Sequence, residues 1–564
     1  MKFNVYSILS AFVILATLSA CDKDDDPVNG NGYTQEEFIQ GAVLHGANGL
    51  NFGTDGNLYI ASFLGREIIA MNKQTGSIVK RIGEDMGVKS PDDLVFGPEG
   101  SLYWTDLMTG EVGRMTPQGV VTKQFVAPGV NPITFSDDGR LFVGLDFLGD
   151  GLYELDPNLI NTPRAIVPYV QGEFPIGNLN GFDFGPDGVL YGPVFSAGVV
   201  ARVDVGQPND PPTSIPWMDG TLTPIAVGFT TPVAAKFNQA GVLHVLDQTG
   251  EIFKVDIATG AKTLFVTLQE GLDNLAFDAN GNLYVSNADF GWIIEVQPGG
   301  QTRTVSIGGM INPGGLALLN DQDDLYVADL FRLRECNGLN GQDVGDDKGH
   351  LIPAPGALTL PMTVSADGNN LVISSWFSGQ VQVWDPQGEQ VLEDYKLGAP
   401  VNAIRFKNNL VVADVGIGAV FFANDPTNKI LAIDNVNVFA PGGMATDGER
   451  LWVADWATGI VWQITFTGTT PNPPTILTSG LLSPEGLAYD PAGSLVVVET
   501  GASRISRITL TGEVSTIADN LSFGLPALEG TPPTWVFDGV TISESGDIYV
   551  SGWGKNVVYR FKKN

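Results

Sequence analysis

Apolar and polar positions alternate along this chain in short runs, and Asp, Pro, Asn and Gly punctuate them. Leu58-Tyr-Ile-Ala-Ser62, Leu283-Tyr-Val-Ser-Asn287 and Leu495-Val-Val-Val-Glu499 are of strand length and rich in β-branched and aromatic residues. Each is preceded by hairpin chemistry such as Asp55-Gly56, Asp187-Gly188 or Asn280-Gly281. No stretch of useful length carries a 3.6-residue apolar period, so the pattern predicts an all-β chain.

The pattern repeats. Asn48–Ser62, Asn180–Gly192, Asp273–Asn287 and Glu485–Glu499 share one design: a short apolar strand, an Asp/Pro/Gly turn, then a Leu-Tyr-Val strand. A Gly-containing loop, a third strand and a more polar fourth strand complete the unit. The apolar residue about four before the turn glycine recurs at Phe52, Phe96, Phe135, Phe184, Phe237 and Phe277. It continues at Leu318, Val364, Phe406, Met444, Tyr489 and Ile542. The mean spacing is roughly 45 residues, the length of a four-stranded propeller blade. Radial repetition also removes exposed sheet edges. The expected fold is therefore a tandem β-propeller of twelve blades, arranged as two six-bladed rings: 36–309, then 310–564 with an insertion at 332–359. The last unit stops after its third strand. Residues 36–44 are expected either to close the second ring or to leave it with a three-stranded blade.

The first 20 residues change the picture. Lys2 and an apolar run from Val5 to Leu18 read as a cleaved signal peptide, too short to span a membrane. Leu18-Ser-Ala-Cys21 resembles the lipobox of bacterial lipoproteins, in which the cysteine becomes the acylated N-terminus. Acyl chains at Cys21 would anchor the protein to a membrane. Residues 21–35, with Asp22-Lys-Asp-Asp-Asp26, form a polar tether. They also resemble the signal that sends some Gram-negative lipoproteins to the cell surface. The expected location is the outer membrane, facing outward.

With 30 basic and 63 acidic residues the net charge is −33. That excludes nucleic acid as a partner and suits cation binding. Cys21 and Cys336 are the only cysteines, and His45, His244 and His350 the only histidines, so thiolate and multi-histidine metal centres are excluded. His45 lies near the start of unit one, as a blade-edge residue or a base. His244 falls in a strand pattern and reads as structural. No nucleophile elbow, phosphate loop or zinc-protease motif occurs.

The units resemble NHL-repeat propellers and the gluconolactonase/senescence-marker family, with a weaker likeness to streptogramin lyases. The resemblance covers His45 to Asn564. It implies a divalent cation, often calcium, on the propeller axis, held by Glu, Asn and Asp four residues before each anchor. Those positions are Asn48, Asp92, Asn131, Asn180, Val233 and Asp273, then Gly314, Leu360, Asn402, Gly442, Glu485 and Asp538. Pro484-Glu485-Gly486 and Phe537-Asp538-Gly539 match the family segments best, with Asn402 third. The resemblance thus points to Asn402, Glu485 and Asp538 as metal ligands, and to Glu485 or Asp538 for acid–base work. Trp376, Trp456 and Trp553 each follow a second strand, on the face toward which those residues point. They read either as inter-blade core or as an aromatic rim for a glycan. Three functions follow: a surface module that binds carbohydrate or a protein partner, a metal-dependent lactone or ester hydrolase, or a scaffold.

Overall fold

A computed structural model describes residues 28–29, 32–320, 324–345, 347–349, 356–432, 439–524 and 536–564. The signal, Cys21, most of the tether and His350 lie outside the described residues.

The chain is all-β, and most of its sheets are four-stranded and antiparallel, with strands neighbouring in sequence also neighbouring in the sheet. Unit one is typical: Leu50–Phe52, Leu58–Ser62, Glu67–Met71 and Ile78–Ile82. The first strands of units one to six are Leu50–Phe52, Pro91–Phe96, Val130–Phe135, Asp183–Phe184, Pro232–Phe237 and Leu272–Phe277. Each lies against the next, and the last returns to lie against the first. The first strands of units seven to twelve, from Leu316–Leu319 to Val540–Ile542, do the same. Radial repetition of this kind makes a β-propeller.

The anchor residues explain the contact between units. Phe96 packs edge-on against Tyr59 of the preceding unit, Phe135 against Tyr103, and Phe237 against Tyr191. Phe277 meets His244 in the same way, and Phe52 meets Tyr284 of unit six. Such pairs are worth roughly 0.5–1.5 kcal/mol beyond the area they bury. His244 therefore stands where its neighbours carry Tyr, buried in its strand.

Many of the acidic residues are structural. Asp106, Asp247, Asp329 and Asp414 end second strands and accept backbone N–H bonds from the loop entering their own unit. They satisfy donors that would otherwise be buried without partners.

The strand Tyr33–Gln40 pairs antiparallel with the final strand Val557–Lys563, from Tyr33 opposite Lys563 to Gln40 opposite Val557. The last sheet is thus completed from the start of the chain. The stretch read as an insertion begins as a strand, Arg332–Asn337, the third of unit seven. Arg332 is buried against Asp289 of unit six and also reaches Glu270, while Arg334 donates to the carbonyls of Asp289 and Gly309. An apolar cluster joins the two halves: Phe63, Leu64 and Leu107 pack with Leu330, Phe331, Met362 and Trp553.

Candidate functional site

Several first strands carry a register shift at their start, for example between Pro91 and Leu94, Val130 and Ile133, and Leu272 and Leu275. Bulges of this kind re-aim a side chain away from the regular ladder. In units one to six the residues at this level are Asn48, Asp92, Asn131, Asn180, Val233 and Asp273. All six line one cavity of about 270 Å³. Five of the six carry side-chain oxygens.

Asp146 joins this set without having been visible in the repeat. It follows the second strand of unit three, and its N–H donates to Gly129, as Leu107 donates to Ser90 and Gln248 to Thr231 in their units. Leu107 and Gln248 line the cavity. A charged residue where other units place Phe63 or Leu107 was the available signal. Asn131 Nδ2 donates to Asp146 Oδ2 at 2.8 Å, while the fully buried Asp146 Oδ1 has no hydrogen-bond partner.

Burial dominates the electrostatics, with like charges second. Burial pushes Asp92 up to about 7; Asp93 adds to the rise and Asn131 opposes it. Asp273 is raised well above the usual range by burial and then by Asp92 and Asp93, with Asn48 opposing. Burial also raises Asp146 strongly, with Asp92 next. Such a cluster calls for protons or a cation. Carboxylate and carboxamide oxygens suit a hard cation. Among the described residues no three acidic, histidine or cysteine side chains could hold a metal by themselves. A cation at this level would therefore have to draw on the carboxamides of Asn48, Asn131 and Asn180 as well as the carboxylates.

Asp93 does different work. Its carboxylate accepts the N–H of Ile133 in the next unit, its neighbour Leu94 and the amide of Asn274 in unit six. It pins neighbouring first strands below the axial oxygens.

Units seven to twelve do not repeat this arrangement. Asn402 is out of phase. Unit nine turns on two residues, Lys407 and Asn408, both left-handed, so Arg405 pairs with Leu410 where Phe96 pairs with Leu102. Val401 therefore corresponds to Asp92, and Asn402 to Asp93. Accordingly, Asn402 Oδ1 accepts the N–H of Met444 in the next unit, as Asp93 does for Ile133. Unit eight is displaced too, by two residues and in the other direction: Ala366 pairs with Leu371, and Met362 takes the place expected of Leu360. Only Glu485 and Asp538 remain as axial acids, and both are tied down. Glu485 accepts from Asp538 N at 2.8 Å, and Asp538 accepts from Gly524 N and Trp553 N at 2.6 and 2.9 Å. Burial raises both, Asp538 to about 7, and each carboxylate braces a neighbouring backbone. The three residues expected to share a metal are thus divided between two structural roles.

The tryptophans also separate. Trp553 is buried at the junction of the two halves, stacked on His45 with ring centroids 4.0 Å apart and donating to Asn312 Oδ1. It forms no solvent-facing rim. Trp376 packs at the margin of the same apolar cluster beside Phe377. Trp456 stays near Glu485, whose proton affinity it lowers. His45 lines a separate groove with Arg81 and Lys555 rather than the axial cavity, which removes it as an axial base.

The fold and cavity define a β-propeller with an oxygen-lined axial pocket. Residues 93–330 match the family described as SMP-30/Gluconolactonase/LRE-like region, a stretch holding Asn131, Asp146, Asn180 and Asp273. No curated protein matches the chain. Among solved structures, virginiamycin B lyase from Staphylococcus aureus is similar at 14% identity and a TM-score of 0.37, over 53% of this chain and 96% of that one. A candidate gluconolactonase is similar at 14% identity and 0.36, over 49% and 94%. The extracellular domain of a candidate one component system from B. thetaiotaomicron is similar at 13% and 0.31, over 95% of this chain and 78% of that one.

Proposed function

We propose that this chain is an exported lipoprotein of twelve blades in two six-bladed rings, whose first ring is a divalent-cation-dependent lactone or ester hydrolase. The observation that carries the activity is the meeting of Asn48, Asp92, Asn131, Asn180 and Asp273 on one cavity, with Asp146 behind them. The ring reading is supported by the return of Leu272–Phe277 to Leu50–Phe52, and of Val540–Ile542 to Leu316–Leu319.

Asp92, Asp273 and the three carboxamides would hold the cation, calcium by the chemistry of its ligands. Such an ion would supply Lewis acidity toward an ester carbonyl and neutralise the buried carboxylates. Hydrolysis adds water to the carbonyl carbon and breaks the ester C–O bond; the proton taken from water ends on the departing alkoxide. Asp146 lies behind Asn131 and not on the cavity; by accepting from the Asn131 amide it would turn that carboxamide's oxygen toward the cation.

The lipobox at Cys21 supports a membrane anchor, and the acidic tether supports export to the outer face of the outer membrane. A glycan- or protein-binding module is the weaker reading, because Trp553 is committed to the ring junction.

The test is calcium titration of purified protein with thermal unfolding as readout. The chelated protein should gain several degrees on adding calcium, and Asp92→Asn should abolish that gain while folding normally. An unchanged calcium response in Asp92→Asn would overturn the site.

A further inference from the structure

We infer that the second ring supplies the specificity wall of the first ring's site, and that the substrate is an amphiphilic lactone or ester with an apolar arm rather than a polyhydroxylated sugar lactone. This rests on the hydrolase reading above.

Phe331, Leu360 and Phe377 belong to units seven and eight, yet they line the same cavity as Asp92 and Asp273. The site is therefore incomplete without the second ring. Its oxygens lie on the floor, at the axis of ring one. Above them the walls are apolar, with Gln248 the polar exception among the residues on the cavity. A sugar lactone would bury several hydroxyls against side chains that can neither donate nor accept, leaving them without partners. A hydrocarbon arm would find dispersion contacts instead.

Backbone conformation supports a ligand role. Leu360 and Phe147 have φ of 40° and 53°, a left-handed conformation that bulky side chains rarely adopt. Such residues are held there by their surroundings and cluster at ligand sites. Phe147 and Leu148 are also 43% and 46% exposed while lining the cavity, so its mouth is apolar and open to solvent. At roughly 30 Å³ for each water-sized group, the cavity takes about nine heavy atoms. That is a lactone ring and a short arm; a longer arm would leave past Phe147.

The test compares γ-lactones of increasing alkyl length with glucono-1,5-lactone as substrates of the calcium-loaded full chain. In parallel, binding of the matching alkyl lactams to the chelated protein is followed by calorimetry. Specificity, as kcat/KM, should rise about fourfold per methylene until the chamber is full. Phe377→Ala should flatten that rise. So should Phe147→Asn, a substitution at an exposed left-handed position that Asn tolerates. Equal or better hydrolysis of gluconolactone, with no dependence on arm length, would overturn the wall while leaving the hydrolase standing. No hydrolysis, but length-dependent lactam binding lost in both variants, would remove the hydrolase and keep the apolar-arm site. Folded protein that neither hydrolyses the lactones nor binds the lactams refutes the inference.

Discussion

Adjacent aspartates in unit two carry opposite burdens. Asp92 faces the cavity among other acids, and its ionised form is costly there. Asp93 accepts from Ile133, Leu94 and Asn274. A buried donor left without its acceptor costs roughly 1–3 kcal/mol. Asp93→Ala should therefore lower stability by about 3 kcal/mol or more in denaturant unfolding, with or without calcium. The histidines predict a pH dependence. Burial lowers His45 and His244 from 6.5 to about 4, so the folded state keeps them neutral. Between those values the unfolded chain binds more protons, and stability falls as pH drops from 6.5 towards 4. His244→Gln should make unfolding free energy, measured across that window, less steep in pH. A slope unchanged by the substitution would show that burial of this ring does not set the acid limit.

At the scale of the element, closure is the decisive feature. The final strand, Val557–Lys563, has one neighbour from its own unit and another, Tyr33–Gln40, from the start of the chain. Removing residues 22–40 would leave a row of unpaired backbone groups along a long edge. The expected result is a lower melting temperature and concentration-dependent aggregation, visible by light scattering during a thermal ramp. Bulges matter at the same scale. One extra residue at the start of a first strand sends Asp92 or Asp273 to the axis, and a two-residue turn at the other end shifts Asn402 away from it.

Across the whole molecule, the two halves are clamped by Arg332, whose side chain is 2% exposed and paired with the fully buried Asp289. Removing one partner of a buried pair typically costs 3–5 kcal/mol, because the other charge stays buried. Arg332→Met should loosen the junction. Calorimetry should then show two separated transitions where the parent chain shows a single cooperative one. It should also reduce discrimination between alkyl chain lengths, since Phe331, the next residue, belongs to the chamber wall.

The repeat, the strands, the hairpin turns and the anchor residues were legible in the sequence because each depends on local alternation and turn chemistry. The axial list for units one to six was legible too, since those units share one turn length and therefore one phase. What lay beyond it was decided by register and by contacts distant in sequence. A single-residue phase shift moves a side chain to another face, so counting back from the turn misplaced Asn402 by one residue, and in unit eight it chose Leu360 where Met362 lies two residues on. Asp146 stands outside the repeated pattern and gains its meaning only beside Asn131. The burial of Trp553 required the junction itself, where a side chain placed like a rim residue in its own half of the chain becomes core against the other half. For the same reason the sequence pointed to Glu485 and Asp538, while the tertiary structure gathers the oxygens of units one to six on one cavity and brings Phe331, Leu360 and Phe377 of units seven and eight to its lining.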